Sequence, residues 1–208
     1  YYKVDIIRKQ KKDFIHVDPD VIVFDDIFSD FIRGGYDVIV QDILPANMSP
    51  VISEIPLIRE YLKKTGVVDH NLCDGKWGSN GVVGMMIPIK DRYVKLADEF
   101  KNGYLNGELN VNSELISIIC EEQVFYLLGK RDKLKTYEVI PLLSDGSRDA
   151  TKLKNYTHMW GNSKYSPQYI KIMRLNVMNK FPKHKKTIEV FEKQILSKKD
   201  FFNKNLIC

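Results

Sequence analysis

The sequence predicts an α/β fold in which short buried strands alternate with amphipathic helices. Apolar runs rich in β-branched residues predict the strands, helical spacing of apolar residues predicts the segments between them, and turn-forming residues mark the junctions. The 208 residues suit one domain with a terminal extension. A hydrophobic fraction of 44% is enough to build a core, which argues against wholesale disorder.

Short apolar runs bounded by polar or turn-forming residues predict the strands. These runs are residues 14–17, 21–24, 36–40, 81–89 and 136–143. The first two are separated only by Asp18-Pro19-Asp20, and the third ends at Gln41-Asp42. Residues 69–80 are polar and rich in turn formers, which predicts a loop before the fourth strand.

Helical spacing predicts the remaining elements. The predicted helices are residues 25–32, 49–64, 91–104, 112–128, 167–179 and 185–197. In the second of these, Ser49 is expected to cap the helix, Pro50 to occupy its first turn, and Gly66 to end it. Pro56 is expected to divide the same helix, because proline interrupts helical hydrogen bonding.

Charge and cysteine content limit the class of protein. The net charge is +5, and lysines are concentrated between Lys180 and Lys204. Such a tail suggests an anionic partner or only a solvated helix face. Cys73, Cys120 and Cys208 are far apart, which argues against a disulfide framework and fits a reducing compartment. No apolar run approaches the length of a membrane span, so we expect a cytoplasmic protein, with peripheral membrane contact through the tail as an option.

The segment Asp18-Pro19-Asp20 is the first candidate for chemistry. Side chains two residues apart at the end of a strand point to the same side, so the two carboxylates should converge. Converging carboxylates repel each other unless a cation lies between them, and a hard divalent ion is the usual solution. The alternative is an ordinary surface turn, because Asp and Pro both favour turns.

Four segments occur in a suggestive order. They are Asp18-Pro19-Asp20, Ser79-Asn80-Gly81-Val82-Val83-Gly84, Glu121-Glu122-Gln123 and His158-Met159-Trp160-Gly161-Asn162-Ser163-Lys164. In this order they resemble nucleotide-sugar glycosyltransferases of the GT-A fold, and the last resembles the His-x-x-Gly-x-x-Lys motif of the family 8 retaining enzymes. The resemblance extends over residues 14–164 and lies in motif order. It implies a GT-A-like mixed sheet flanked by helices in residues 1–165, with residues 166–208 as a basic helical extension.

The resemblance implies a Mn²⁺ or Mg²⁺ site that binds the diphosphate of a UDP-sugar. Asp18, Asp20 and His158 would hold the metal, and Gly161 and Lys164 would lie beside the same phosphates. The residue types agree with this role, since carboxylates and imidazole suit these ions. A glycine would let the backbone approach a phosphate, and a lysine would neutralise charge on the departing diphosphate.

For the transferred sugar and its hydroxyl acceptor, a glycan or another alcohol, the resemblance implicates Asn80 and Gly81. Glu122 or Gln123 would lie beneath the sugar. If the enzyme inverts configuration, a Glu would be the general base on the acceptor hydroxyl. If it retains configuration, which the resemblance to family 8 implies, the departing phosphate takes that proton and Gln123 only positions groups.

Two further residues are candidates for the pocket, each with a purely structural alternative. Asp42 ends a predicted strand, and Trp77 could offer an aromatic platform to a sugar ring.

The sequence also departs from the family. A long segment that holds the nucleobase precedes the Asp-x-Asp in family members, whereas residues 1–17 precede it here. Either the segment that holds the nucleobase is absent from this chain, or Asp18-Pro19-Asp20 does not correspond to the family's Asp-x-Asp. Residues 164–167 also differ from the usual Lys-Pro-Trp.

Two other functions stay open. The same carboxylates could serve a metal-dependent nucleotidyl or phosphoryl transferase, which would need a third carboxylate such as Asp42. The Lys-rich C-terminal helices could instead belong to a non-catalytic module that binds nucleic acid or membrane. For the glycosyltransferase itself we expect no nucleic-acid partner.

Overall fold

The computed structural model describes residues 2–143, 147, 156–158, 167–187 and 189–190. The helices are α1 (Tyr2–Arg8), α2 (Ser29–Arg33), α3 (Ile55–Thr65), α4 (Ile87–Leu105), α5 (Ile116–Ile118), α6 (Val124–Arg131) and α7 (Pro167–Lys180). A π-helical turn, Ile119–Gln123, joins α5 to α6. The strands are β1 (Phe14–Val17), β2 (Val21–Val23), β3 (Val38–Leu44), β4 (Trp77–Met85), β5 (Thr136–Glu138) and β6 (Tyr156–His158). Short 3₁₀ turns lie at Ala46–Met48, Ile52–Glu54, His70–Leu72 and Pro182–His184.

Four of these strands form a mixed sheet in the order β1-β4-β3-β5. β4 pairs antiparallel with β1 and with β3, whereas β3 and β5 are parallel. β2 and β6 form a separate antiparallel pair. The predicted α/β class, a mixed sheet flanked by helices, is therefore confirmed.

The two faces of the sheet belong to two hydrophobic clusters. Val38, Val40, Val83 and Met85 pack with residues of α1, α3, α4 and α6 in the larger cluster. Ile39 and Val82 belong to a smaller cluster, which is completed by the β2–β6 pair and by residues near α2. This division follows from the alternation of side chains along a strand.

The predicted element boundaries need four corrections. β4 begins at Trp77, so residues 77–80 are strand where a loop was predicted, and all nine residues of the strand are buried. Pro88 lies in the first turn of α4, where a missing N–H costs nothing, and is not part of a strand. For the same reason Pro56 lies in the first turn of α3 instead of dividing a longer helix; α3 begins at Ile55, so Ser49 does not cap it and Pro50 is not in its first turn. The predicted strand 136–143 forms regular pairing only in β5.

Residues 1–13 showed little pattern, yet the chain forms α1 there. Val4 and Ile7 are fully buried and anchor this helix against the larger cluster. At the other end, α7 confirms the predicted helix 167–179. The predicted helix 185–197 lies partly outside the described residues. No helix in the described part of the chain combines the length and apolar character needed to cross a membrane.

Candidate metal and phosphate site

Asp18 and Asp20 lie on a tight turn between β1 and β2. The backbone N–H of Val21 donates to the carbonyl of Asp18 at 3.0 Å, and Pro19 occupies the second position of the turn, which its fixed φ favours. The N–H of Asp18 donates to the carbonyl of Gly81 at 2.9 Å, which fastens the turn to β4. The segment is therefore a turn, as one interpretation predicted, and its carboxylates lie close together, as the other predicted. The turn, and not the alternation of side chains along a strand, brings them together.

His158 reaches this turn through the β2–β6 pair. The register places His158 opposite Val21, next to Asp20. Its Nε2 lies 3.3 Å from Asp20 Oδ1. One ligand atom from each of Asp18, Asp20 and His158 lies within 4.8 Å of the others. The structure thus brings together the three residues that the sequence predicted as metal ligands.

Gln41 fixes the orientation of His158. Its side chain is buried, and its Oε1 accepts hydrogen bonds from Tyr156 Oη at 2.5 Å and from His158 Nδ1 at 2.7 Å. An amide oxygen can only accept, so Nδ1 carries a proton and Nε2 is the nitrogen directed at Asp20. Metal-binding histidines are commonly held in this way by a partner on the other ring nitrogen.

This arrangement places two electron-rich atoms against each other. In a neutral His158 protonated on Nδ1, the Nε2 lone pair faces the Asp20 carboxylate. Asp18 contributes a second carboxylate to the same group. Such a set is stable only with positive charge between its members, supplied either by a second proton on the imidazole or by a divalent cation. Two carboxylates and an imidazole are donors that Mn²⁺ or Mg²⁺ accepts.

Gly81 makes room for the imidazole. A Cβ at this position would overlap Gln41 Oε1 and the Nδ1 and Cε1 atoms of His158. Gly81 therefore leaves space for Gln41 and His158, and its predicted role beside a sugar stays a prediction. A glycine inside a strand often marks such a close approach.

Asp18 has two cationic or polar partners of its own. Lys3 Nζ lies 2.8 Å from Oδ2, and His16 Nε2 lies 3.1 Å from Oδ1. Burial alone would raise the pKa of Asp18, but the hydrogen bonds from His16 and Lys3 and their charge lower that pKa overall. Asp18 therefore stays ionised at neutral pH, as a metal ligand requires.

β4 bulges beside this site. Between Val83, opposite Val40, and Ser79, opposite Asp42, β4 has three residues, Asn80, Gly81 and Val82, where β3 has only Gln41, so the regular ladder is interrupted. The Asn80 carbonyl accepts from Lys3 Nζ at 2.8 Å, and its side-chain Nδ2 donates to the Glu121 carbonyl. Bulges of this kind re-aim side chains and are enriched next to active sites.

The bulge connects the site to Glu122 on the π-helical turn. The Asn80 backbone N–H donates to the Glu122 carboxylate. Desolvation by burial raises the pKa of Glu122 to about 8, although the charge of Lys3 and the Asn80 hydrogen bond oppose the rise. With this raised pKa, Glu122 is mostly protonated at neutral pH. Single π-helical turns inside α-helices, such as the one that carries Glu122, are rare and are often found at functional sites.

The other described residues that were predicted for the pocket are more buried than Asp18, Asp20 and His158. Gln123 is fully buried, and its Nε2 donates to the Lys76 carbonyl at 3.1 Å. Asp42 is also fully buried, with Oδ1 at 3.4 Å from Gln41 Nε2, and it is not part of the group around Asp18. Trp77 is buried in β4, so its ring is not an exposed platform for a sugar. Gly161 and Lys164 lie outside the described residues.

Four residues of this site were missed by the sequence analysis: Lys3, His16, Gln41 and Tyr156. His16 could have been found, because it stands two residues before Asp18 in an extended segment. Gln41 carried a weaker signal, a polar residue inside an otherwise buried apolar run. Lys3 carried none, since its contact with Asp18 depends on the packing of α1.

Comparison with known families gives one match. A family model described as "Family of unknown function (DUF6734)" matches residues 1–191. No curated protein and no solved structure shows significant similarity to the chain.

Proposed function

Because the chain belongs to DUF6734, a family of unknown function, we propose its activity from the site alone: a metal-dependent glycosyltransferase with a GT-A-like fold. One observation carries the proposal. Asp18 and Asp20 lie on one turn and His158 lies on a strand distant in sequence, yet their ligand atoms converge within 4.8 Å. Such a group would bind Mn²⁺ or Mg²⁺, and the ion would stabilise charge on a departing diphosphate.

The surrounding residues support an anionic donor. Lys3 adds a positive charge beside Asp18, and the partly buried Glu122 is mostly neutral at pH 7. Once a divalent ion joins this group, its charge and that of Lys3 outweigh the two carboxylates, so the site is net positive and can accept a diphosphate. A nucleotide-sugar, with UDP as the nucleotide suggested by the motif resemblance, is the donor class that fits.

The reaction we propose is transfer of the sugar to an acceptor hydroxyl of a glycan or another alcohol. The bond between the anomeric carbon and the diphosphate oxygen breaks, and the acceptor oxygen bonds to that carbon. In the retaining reaction that the motif resemblance suggests, the acceptor proton leaves with the diphosphate, and Glu122 would form a hydrogen bond to the sugar. In an inverting reaction, Glu122 would be the base instead.

Titration calorimetry of UDP, with and without Mn²⁺, tests the proposal. Wild type should bind UDP only with Mn²⁺, and Asp20→Ala should lose that binding. Asp30→Ala is the matched control, because Asp30 is an exposed carboxylate on α2. Equal binding by Asp20→Ala and wild type would contradict the proposal. Binding that needs no metal and weakens steeply with salt would favour the nucleic-acid or membrane module instead.

A further inference from the structure

Lys3 is a cation built into the candidate site. Its Nζ lies 2.8 Å from Asp18 Oδ2 and 2.8 Å from the Asn80 carbonyl, and its side chain is only 13% exposed. Val4 and Ile7 are fully buried, so α1 holds Lys3 in place. An ammonium group has three N–H donors, and these two acceptors occupy two of them.

A divalent ion at this site would change the balance of charge around Lys3. Asp18 Oδ1 already faces His16, and Oδ2 faces Lys3. A metal ion bound to Asp18 must therefore share one of these oxygens with an existing partner. Two cations on one carboxylate repel each other, which weakens the contact between Lys3 and Asp18.

We propose that Lys3 neutralises Asp18 while metal and donor are absent and binds the donor's phosphate oxygens once both are present. This inference rests on the proposed function and names a phosphate ligand for it. A phosphate oxygen beside the metal is an acceptor for the third N–H of Lys3. The phosphate also supplies a negative charge for Lys3, because the charge of Asp18 is then shared with the metal. The Asn80 carbonyl keeps the ammonium at the site during the exchange.

The competing explanation is that Lys3 only fastens α1 to the bulge of β4. In that case its removal would loosen the helix and would either leave ligand binding unchanged or weaken all ligands alike. The proposal predicts opposite effects on two ligands. Removing the charge should strengthen binding of Mn²⁺ alone, because a repelling cation is lost, and should weaken binding of UDP in the presence of Mn²⁺.

The experiment titrates the full chain with Mn²⁺ alone and then with UDP at saturating Mn²⁺. Lys3→Gln should bind Mn²⁺ about tenfold more tightly and UDP about tenfold more weakly than wild type. Lys3→Arg, which keeps the charge, should stay close to wild type for both ligands. Arg8→Gln is the matched control, because Arg8 lies on the same helix and its partner Asp98 lies outside the candidate site. Thermal melting of each variant establishes that it is folded.

Two outcomes would overturn the inference. If Lys3→Gln is folded and matches wild type for both ligands, Lys3 has no role in binding them. If it weakens Mn²⁺ and UDP together, its role is structural. A failure of the proposed function looks different, since wild type would then bind no Mn²⁺, or Asp20→Ala would bind it as well as wild type.

Discussion

Two regions of the β3–β4 pair are equally buried but differ in polarity. Residues 38–40 and 82–85 are apolar apart from Gly84 and are packed on both faces of the sheet. The middle of the pair is equally buried but polar: it consists of Gln41 and Asp42 on β3 and of Ser79, Asn80 and Gly81 on β4. The bulge lies in this middle part, whose Asn80 carbonyl and Gln41 side chain accept hydrogen bonds from Lys3 and His158.

The apolar residues of this strand pair stabilise the fold, whereas its polar residues need another explanation. Apolar burial stabilises a fold, whereas a buried polar group must find hydrogen bonds or it destabilises the fold by about 1–3 kcal/mol. The polar middle meets this demand only in part. Gln41 accepts two hydrogen bonds, but no donor in the described part of the chain reaches Asn80 Oδ1. Stability alone does not explain such residues, whereas the proposed ligand site would.

The largest expected effect comes from the larger hydrophobic cluster, which packs against the apolar region of the sheet. Phe100 is fully buried and packs edge-on against Tyr61, with ring centroids 5.3 Å apart. Phe100→Ala should lower the free energy of unfolding by about 3–5 kcal/mol, because it leaves a cavity. Asp20→Ala should change it by less than about 1 kcal/mol. Urea denaturation of both variants measures this difference, and equal losses would remove the distinction between the hydrophobic cluster and the candidate site.

The second prediction concerns pH and Glu122. Its pKa is about 8 in the folded protein against an ordinary value of 4.5, so the folded state binds more protons between these values. Stability should therefore fall as pH rises from about 5 to 8, by at most about 1.4 kcal/mol per pH unit. Glu122→Gln should lose this dependence. Denaturation of both proteins across that range tests it, and parallel curves would contradict the raised pKa.

The third prediction uses the contact between Gly81 and His158. Gly81→Ala should displace the imidazole and weaken Mn²⁺ binding by about tenfold to a hundredfold. Gly129→Ala is the matched control, because a Cβ there would meet nothing within 4 Å. That control should keep wild-type affinity and gain a little stability, since alanine favours a helix. Calorimetry with Mn²⁺ decides the matter, and unchanged affinity in Gly81→Ala would show that His158 does not bind the ion.

The smallest expected effect comes from Gln41. Gln41→Leu removes the acceptor for Nδ1 of His158, so the proton can move between the two ring nitrogens. Mn²⁺ affinity should fall by about tenfold, and nitrogen NMR of the metal-free protein should show the change of tautomer. Gln168→Leu, at an exposed position on α7, should change neither quantity. A Gln41→Leu variant with the wild-type tautomer would show that Gln41 does not select it.

Local pattern made much of this predictable from the sequence. β1 and β2 follow from two apolar runs, the pairing of Asp18 with Asp20 follows from their spacing, and His158 was added by a resemblance in motif order. The start of β4 was not predictable, because Trp77 to Asn80 reads as turn-forming and polar. Its strand conformation depends on pairing with β3, a long-range contact that overrides local preference.

The π-helical turn and Lys3 were hidden for a similar reason. Residues 112–128 have ordinary helical spacing, and nothing in that spacing indicates the extra residue that turns Glu122 towards Asn80. Lys3 stands in a weakly patterned segment, and its role appears only when Val4 and Ile7 dock α1 beside β4. Both features depend on packing between elements distant in sequence, which periodicity does not report.

The most direct test of the metal site is pulsed electron paramagnetic resonance of bound Mn²⁺. In wild type, the spin echo should be modulated by an imidazole nitrogen, because His158 Nε2 is directed at the ligand group. The modulation should vanish in His158→Gln and persist in His16→Gln, whose imidazole contacts Asp18 without belonging to the group. Modulation that survives in His158→Gln, or wild-type protein that binds no Mn²⁺, would contradict the convergence of Asp18, Asp20 and His158 on a cation.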